Sequence, residues 1–274
     1  MTRTGGNDKG QADRLSLFKK TLLKPACVFL IGLATCALLS GCASFFAKSP
    51  MDVAFYEYPI QNDSPRRMIV FLRGLGGSHQ SFEQEGFVAD VLSCGLAFDM
   101  AAPNAHFGYY GGRSLMTRLK EDVIKPAQNR GCKTIWLVGV SMGGLGAMLY
   151  LMDYPEDIAG VYLIAPFLGG SAILKEIEAA GGLTNWHPGP YRIEEDWERM
   201  FWHWIQKSVS GNRKAHVYLG YGSRDPYKPG AELLAAVLPP ERVTVIDGAH
   251  DYATFKALWK RFLADDAKLR GEAP

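Results

Sequence analysis

Three side chains in this sequence are of the types that acyl transfer needs, and each sits in a comparable local setting. Ser141 lies in Gly139-Val140-Ser141-Met142-Gly143, between the apolar run Ile135-Trp136-Leu137-Val138 and the apolar helical stretch Leu145 to Met152. Asp225 lies in Gly222-Ser223-Arg224-Asp225-Pro226, after the run His216 to Tyr221. His250 lies in Asp247-Gly248-Ala249-His250-Asp251, after Arg242-Val243-Thr244-Val245-Ile246. A serine hydroxyl is a weak nucleophile at neutral pH. A histidine must take its proton during attack and return it to the leaving group, and a carboxylate must fix the imidazole tautomer. A serine in a tight strand-to-helix bend has its hydroxyl exposed, and the flanking glycines let strand and helix approach closely.

The elements that must position these groups follow from the hydrophobic pattern. Val53 to Tyr58 reads as an edge strand, and Asn62-Asp63-Ser64-Pro65 supplies a turn. Met68-Ile69-Val70-Phe71-Leu72 is a continuous apolar run of the kind buried on both faces of a parallel sheet. It leads into Arg73-Gly74-Leu75-Gly76-Gly77. A helix is expected from Ser81 to Leu92, a strand over Leu96 to Met100, a Gly/aromatic loop over His106 to Gly112, and a helix from Ser114 to Ala127. Beyond the Ser141 elbow come a strand over Ile158 to Pro166, a helix from Gly230 to Val237 and a closing helix from Tyr252 to Ala267. Strands alternating with helices at this spacing predict an α/β protein with a doubly wound, mostly parallel sheet. Residues 168–212 break the alternation with two helical stretches and four tryptophans, Trp186, Trp197, Trp202 and Trp204. They predict a small helical cap over the sheet edge; the plainer reading is that the tryptophans pack the insertion onto the body.

The order Ser, Asp, His on successive carboxyl-end loops resembles the α/β-hydrolase superfamily, whose triad runs in that order. The resemblance covers residues 52–267 and rests on four motifs: Arg73-Gly74-Leu75-Gly76-Gly77, the elbow at Ser141, Gly222-Ser223-Arg224-Asp225, and Gly248-Ala249-His250. It implies a serine hydrolase with Ser141, Asp225 and His250 as the triad. The oxyanion donors would be the backbone N–H groups of Met142, at a helix N-terminus, and of Leu75. Many members of the superfamily carry His where this chain has Arg73, which leaves that residue either tethering the loop or facing substrate. Asp247 and Asp251 are rivals for the acid, but both crowd His250 in sequence. His79 and His106 lie on loops near the expected site.

The first 41 residues carry six Lys/Arg against Asp8 and Asp13, so the formal charge of +2 becomes −2 without them. No basic field remains to suggest nucleic acid. Residues 26–39 are almost wholly apolar, and their 14 residues fall short of a comfortable membrane span. Leu39-Ser40-Gly41-Cys42 then resembles the lipobox of bacterial lipoproteins. That resemblance implies removal of residues 1–41 as a signal peptide and acylation of Cys42. With Ala43 and Ser44 following, it implies an outer-membrane address, with 42–50 as a tether and 51–274 as the hydrolase domain. A plain secretory peptide or an uncleaved signal anchor is the alternative. Of the other cysteines, Cys94 and Cys132 fall in the exported part, where a disulfide and two free thiols are both open. No CxxC or HExxH suggests a metal.

The expectation is a lipid-anchored serine hydrolase acting on a small acyl substrate, with no cofactor or metal. Ester cleavage is the expected reaction; thioesterase, acyltransferase and peptidase chemistry use the same triad. From another class, the alternative is a catalytically silent hydrolase-like domain that binds a ligand in the envelope.

Overall fold

The computed structural model describes residues 46–59, 66–208, 216–265 and 269. The expected signal peptide and Cys42 lie outside the described residues, as do the turn at Asn62-Asp63-Ser64-Pro65 and the end of the expected closing helix. The described residues from 47 onward belong to one unit, built on a seven-stranded sheet of order β1-β3-β2-β4-β5-β6-β7. Its strands are β1 (Val53–Tyr56), β2 (Arg66–Leu72), β3 (Asp99–Pro103), β4 (Cys132–Val140), β5 (Gly160–Ile164), β6 (His216–Gly222) and β7 (Val243–Ile246). Only β1 is antiparallel to its neighbour; the remaining pairs are parallel. The long apolar runs sit where a parallel sheet covered on both faces requires them. Ile69, Val70, Phe71, Leu137 and Val138 are fully buried, and each stabilises the fold by about 1.5–3 kcal/mol relative to exposure.

The helices divide between the two faces. On one face lie α1 (Ser81–Gln84), α2 (Phe87–Ser93) and α10 (Tyr252–Leu263): Phe82 stacks on Phe71 of β2, Phe87 and Trp259 meet Phe71 edge-on, and Phe87 stacks on Trp259. On the other lie α3 (Phe107–Gly111), α4 (Leu115–Leu119), α5 (Lys125–Asn129), α6 (Met142–Asp153), α7 (Ser171–Ala179), α8 (Trp197–Ser208) and α9 (Lys228–Ala235). A π-helical turn, Lys120–Ile124, joins α4 to α5, so the helix expected over Ser114 to Ala127 is one run with a widened middle. The helix expected over Ser81 to Leu92 is instead two pieces, because Gly86 takes φ +73° and breaks it. The third strand begins later than the apolar run predicts: Leu96 and Phe98 are buried but lie before the pairing, which starts at Asp99.

Asp99 has a structural role, accepting from Tyr58 N just after β1 at 3.0 Å and pairing with Arg66 of β2 at 3.2 Å, so that it ties β3 to both neighbours. The start of the domain is also strapped down. Tyr109 Oη exchanges hydrogen bonds with the Lys48 backbone, and Met51 N donates to Asp122 Oδ2 at 2.8 Å. The chain is therefore fixed to the body from Lys48 onward, slightly before the expected tether ends. Cys94 and Cys132 are both free thiols, the first exposed and the second buried.

In the insertion, Trp186 and Trp202 are buried, and Trp202 Nε1 donates to Leu168 O at 2.9 Å. For these two, packing onto the body is the observed role. Arg199 clamps the two helices by reaching both carboxylate oxygens of Glu176, which holds that carboxyl down at about 2. Trp197 and Ile193 remain exposed.

Candidate active site

Ser141 sits between β4 and α6 with φ 53° and ψ −118°, a conformation that costs a non-glycine residue on the order of 1–3 kcal/mol. Its surroundings enforce the bend. Ser141 N donates to Ile164 O at 3.0 Å, while Ser141 O accepts from Gly144 N at 2.9 Å and Phe167 N at 3.0 Å. Gly143 is required by close approach, since a Cβ there would overlap the Leu72 carbonyl at the end of β2. The same crowding brings the loop after β2 against the elbow: a Cβ on Gly74 would lie 3.3 Å from Ser141 Cβ.

His250 follows β7 and connects the other two groups. Its Nε2 lies 3.0 Å from Ser141 Oγ and its Nδ1 lies 2.7 Å from Asp225 Oδ2. Asp225, after β6, is only 2% exposed, and its second oxygen accepts from Tyr227 N at 2.7 Å. With Asp225 ionised and acceptor-only, Nδ1 must carry the proton that points at it. That leaves Nε2 as the acceptor facing the serine hydroxyl. The imidazole is held edge-on between two rings, Tyr227 at 4.8 Å and Phe255 at 5.0 Å.

The rival acids are engaged elsewhere. Asp247 is exposed and pairs with Arg224 at 2.9 Å, with Ser223 alongside at 3.3 Å. Asp251 caps α10 by accepting from Thr254 N at 2.8 Å, and that bond holds its carboxyl below the usual range. His106 caps α3, its Nδ1 accepting from Gly108 N at 3.1 Å, and burial pushes its pKa down. Among the described residues, neither His106 nor His79 hydrogen-bonds to Ser141, Asp225 or His250.

Met142 opens α6 and is buried, so its N–H is one of the unpaired donors at a helix start. Leu75 lies on the loop packed against the elbow, with its side chain exposed. Two neighbours carry no recognisable sequence signal. Tyr110, in the Gly/aromatic loop, donates to Met142 O at 3.0 Å, and Tyr227 forms an edge-to-face pair with Phe167 at 5.8 Å beside the imidazole. Tyr110 belongs to α3, a five-residue helix that the glycine content of the loop conceals.

The insertion attaches to this same end of the sheet. Gly170 N donates to Glu198 Oε1 at 2.5 Å, and Arg113, just after α3, donates to Glu194 O at 2.6 Å. The first bond lies within the insertion, and the second ties it to the segment between α3 and α4, after β3.

With that geometry in place, the comparisons define the class: the chain has the α/β-hydrolase fold. It resembles the fluorophosphonate-binding serine hydrolase F of Staphylococcus aureus with a TM-score of 0.56 at 13% identity, over 80% of this chain and 94% of the other. An S-formylglutathione hydrolase from Agrobacterium tumefaciens gives 0.56 at 15%, over 80% and 89%. A ferulic acid esterase gives 0.53 at 12%, over 80% and 98%. Residues 110–196 match the family model of the S33 serine aminopeptidases. No curated protein matches the sequence.

Proposed function

We propose that the protein is a serine hydrolase that cleaves a carboxylic ester through an acyl-enzyme, with Ser141, His250 and Asp225 as its triad. The observation that carries this reading is the single imidazole spanning Ser141 Oγ at 3.0 Å and Asp225 Oδ2 at 2.7 Å. Ser141 Oγ attacks the substrate carbonyl carbon while its proton passes to His250 Nε2. Asp225 stabilises the imidazolium. The negative oxygen formed in this step is received by the N–H groups of Met142 and Leu75. Collapse of the adduct breaks the bond to the alcohol, which leaves with the proton from Nε2. A water then repeats the sequence on the acyl group and frees Ser141. The S33 match over residues 110–196 and the likeness to a ferulic acid esterase support acyl transfer to water. A fluorophosphonate probe should label the purified protein on Ser141. Absence of labelling would favour a domain that binds without reacting.

The reading includes a mouth rimmed by the insertion, supported by its hydrogen bond to Arg113 in the segment after β3. Exposed Ile193 and Trp197 would then offer apolar surface to an acyl or aryl group. Trp197→Ala is expected to reduce kcat/KM for a long-chain p-nitrophenyl ester relative to the acetate by about fivefold, with fluorophosphonate labelling unchanged. An equal effect on both esters would place the insertion away from the acyl group.

The envelope address is the third part of the proposal and rests on Leu39-Ser40-Gly41-Cys42. Several acyl chains on Cys42 would hold the protein at a membrane far more firmly than one. Cys42→Ser should abolish metabolic labelling by an alkynyl fatty acid and move the protein out of the membrane fraction. Unchanged labelling and fractionation would reject the anchor.

A further inference from the structure

The loop that carries Leu75 has little of its own to hold it. Three of the five residues from Arg73 to Gly77 are glycine, the Leu75 side chain is 62% exposed, and the loop's one internal backbone bond, Gly77 N to Gly74 O, is long at 3.4 Å. A donor N–H on such a segment is poorly preorganised unless something else fixes it.

Arg73 is placed to fix it. Its Nη2 donates to Leu75 O at 3.0 Å and its Nη1 reaches Asn104 Oδ1 at 3.4 Å. Asn104 is itself secured, its backbone N donating to Asp52 O at 2.7 Å. Arg73 is only 8% exposed, its buried Nε has no acceptor, and among the described residues no carboxylate pairs with it. Burial lowers its pKa, yet a guanidinium keeps its charge in proteins. Neighbouring Tyr110 holds Met142 O at 3.0 Å. Side chains from one small cluster therefore grip the carbonyls of both residues whose N–H groups are the oxyanion donors. A buried cation without an anion is unfavourable in the resting protein.

We propose that Arg73 is a positioning residue for the oxyanion loop, holding Leu75 by its carbonyl so that the N–H of the same residue stays aimed at the tetrahedral anion. The inference rests on the hydrolase reading above. An arylboronic acid tests it directly: Ser141 Oγ bonds to boron, His250 takes the hydroxyl proton, and the adduct is a tetrahedral anion that mimics the intermediate. Arg73→Met is expected to weaken boronate binding and lower kcat by about thirtyfold each, with KM for a neutral ester within about twofold and the melting temperature preserved. Arg73→Lys, which keeps the charge but loses the planar fork, is expected to fall between the two and carries the test if the Met variant does not fold. Unchanged boronate affinity and kcat would overturn the proposal. So would a rise in KM alone, which would make Arg73 a ground-state binder. If the wild-type protein neither binds the boronate nor labels with fluorophosphonate, the hydrolase reading itself fails; if it does both and the variants match it, only the role of Arg73 fails.

Discussion

Ser141→Ala is expected to eliminate fluorophosphonate labelling and to lower ester hydrolysis by a factor on the order of 10⁶, the scale seen when a triad nucleophile is removed. The loss should fall on kcat, because among the described residues Ser141 Oγ bonds to His250 alone. Stability should change little. The backbone strain at φ 53° is set by the bonds to Ile164, Phe167 and Gly144, which alanine keeps. What disappears is one partly buried hydrogen bond, worth about 0.5–1.5 kcal/mol net. Relief from seating a polar oxygen in a tight elbow offsets part of that. Paired measurements of turnover and thermal unfolding check the expectation. Full hydrolysis by Ser141→Ala would remove the nucleophile from the proposal, whereas loss of activity together with collapse of the melting temperature would point to a structural serine.

The sheet is legible in the sequence where burial is two-sided. Met68 to Leu72, Ile135 to Val140 and Val161 to Ile164 are unbroken apolar runs, and all become parallel central strands. Legibility fails at the edges and in short helices, because there the decisive contacts are distant in sequence. Strand β3 is displaced toward Pro103 because its register is set by antiparallel pairing with β1, which the run Leu96 to Met100 does not encode. Helix α3 is hidden by its glycines and held by the His106 cap and by Tyr110 reaching Met142.

The site divides in the same way. Ser141, Asp225 and His250 are readable because each occupies a loop after a recognisable strand, and the structure brings the three side chains into one hydrogen-bonded line. Arg73 is visible in the sequence as a departure, but not its contacts. Its acceptors are a carbonyl two residues on and a side chain from the loop after β3, and neither leaves a pattern in spacing or composition. Tyr227 is silent for a similar reason. Its backbone N–H buttresses Asp225, and its ring meets His250 from 23 positions away along the chain.

That backbone N–H makes Asp225→Asn the more discriminating of the two large-effect substitutions. The wild-type carboxylate accepts two bonds, one oxygen from Tyr227 N at 2.7 Å and the other from His250 Nδ1 at 2.7 Å. An asparagine has one oxygen and one NH₂ to put in their places. If its oxygen stays on Tyr227 N–H, the NH₂ faces His250 and forces the tautomer with the proton on Nε2, which can no longer accept from Ser141. If it flips, two donors meet in a site that is 2% exposed, leaving an unsatisfied buried group at a cost of about 1–3 kcal/mol. The first arrangement is favoured, and it removes the general base while leaving the fold intact. Turnover should therefore fall by roughly 10⁴ with KM little changed, the residual rate coming from substrate binding and the oxyanion donors. Asp247→Asn serves as the matched control: that carboxylate pairs with Arg224 at the surface, where an ion pair contributes about 0–1 kcal/mol, so activity should stay within about twofold. The reverse outcome, with Asp247→Asn inactive and Asp225→Asn within tenfold of wild type, would transfer the acid's role to the loop that carries His250.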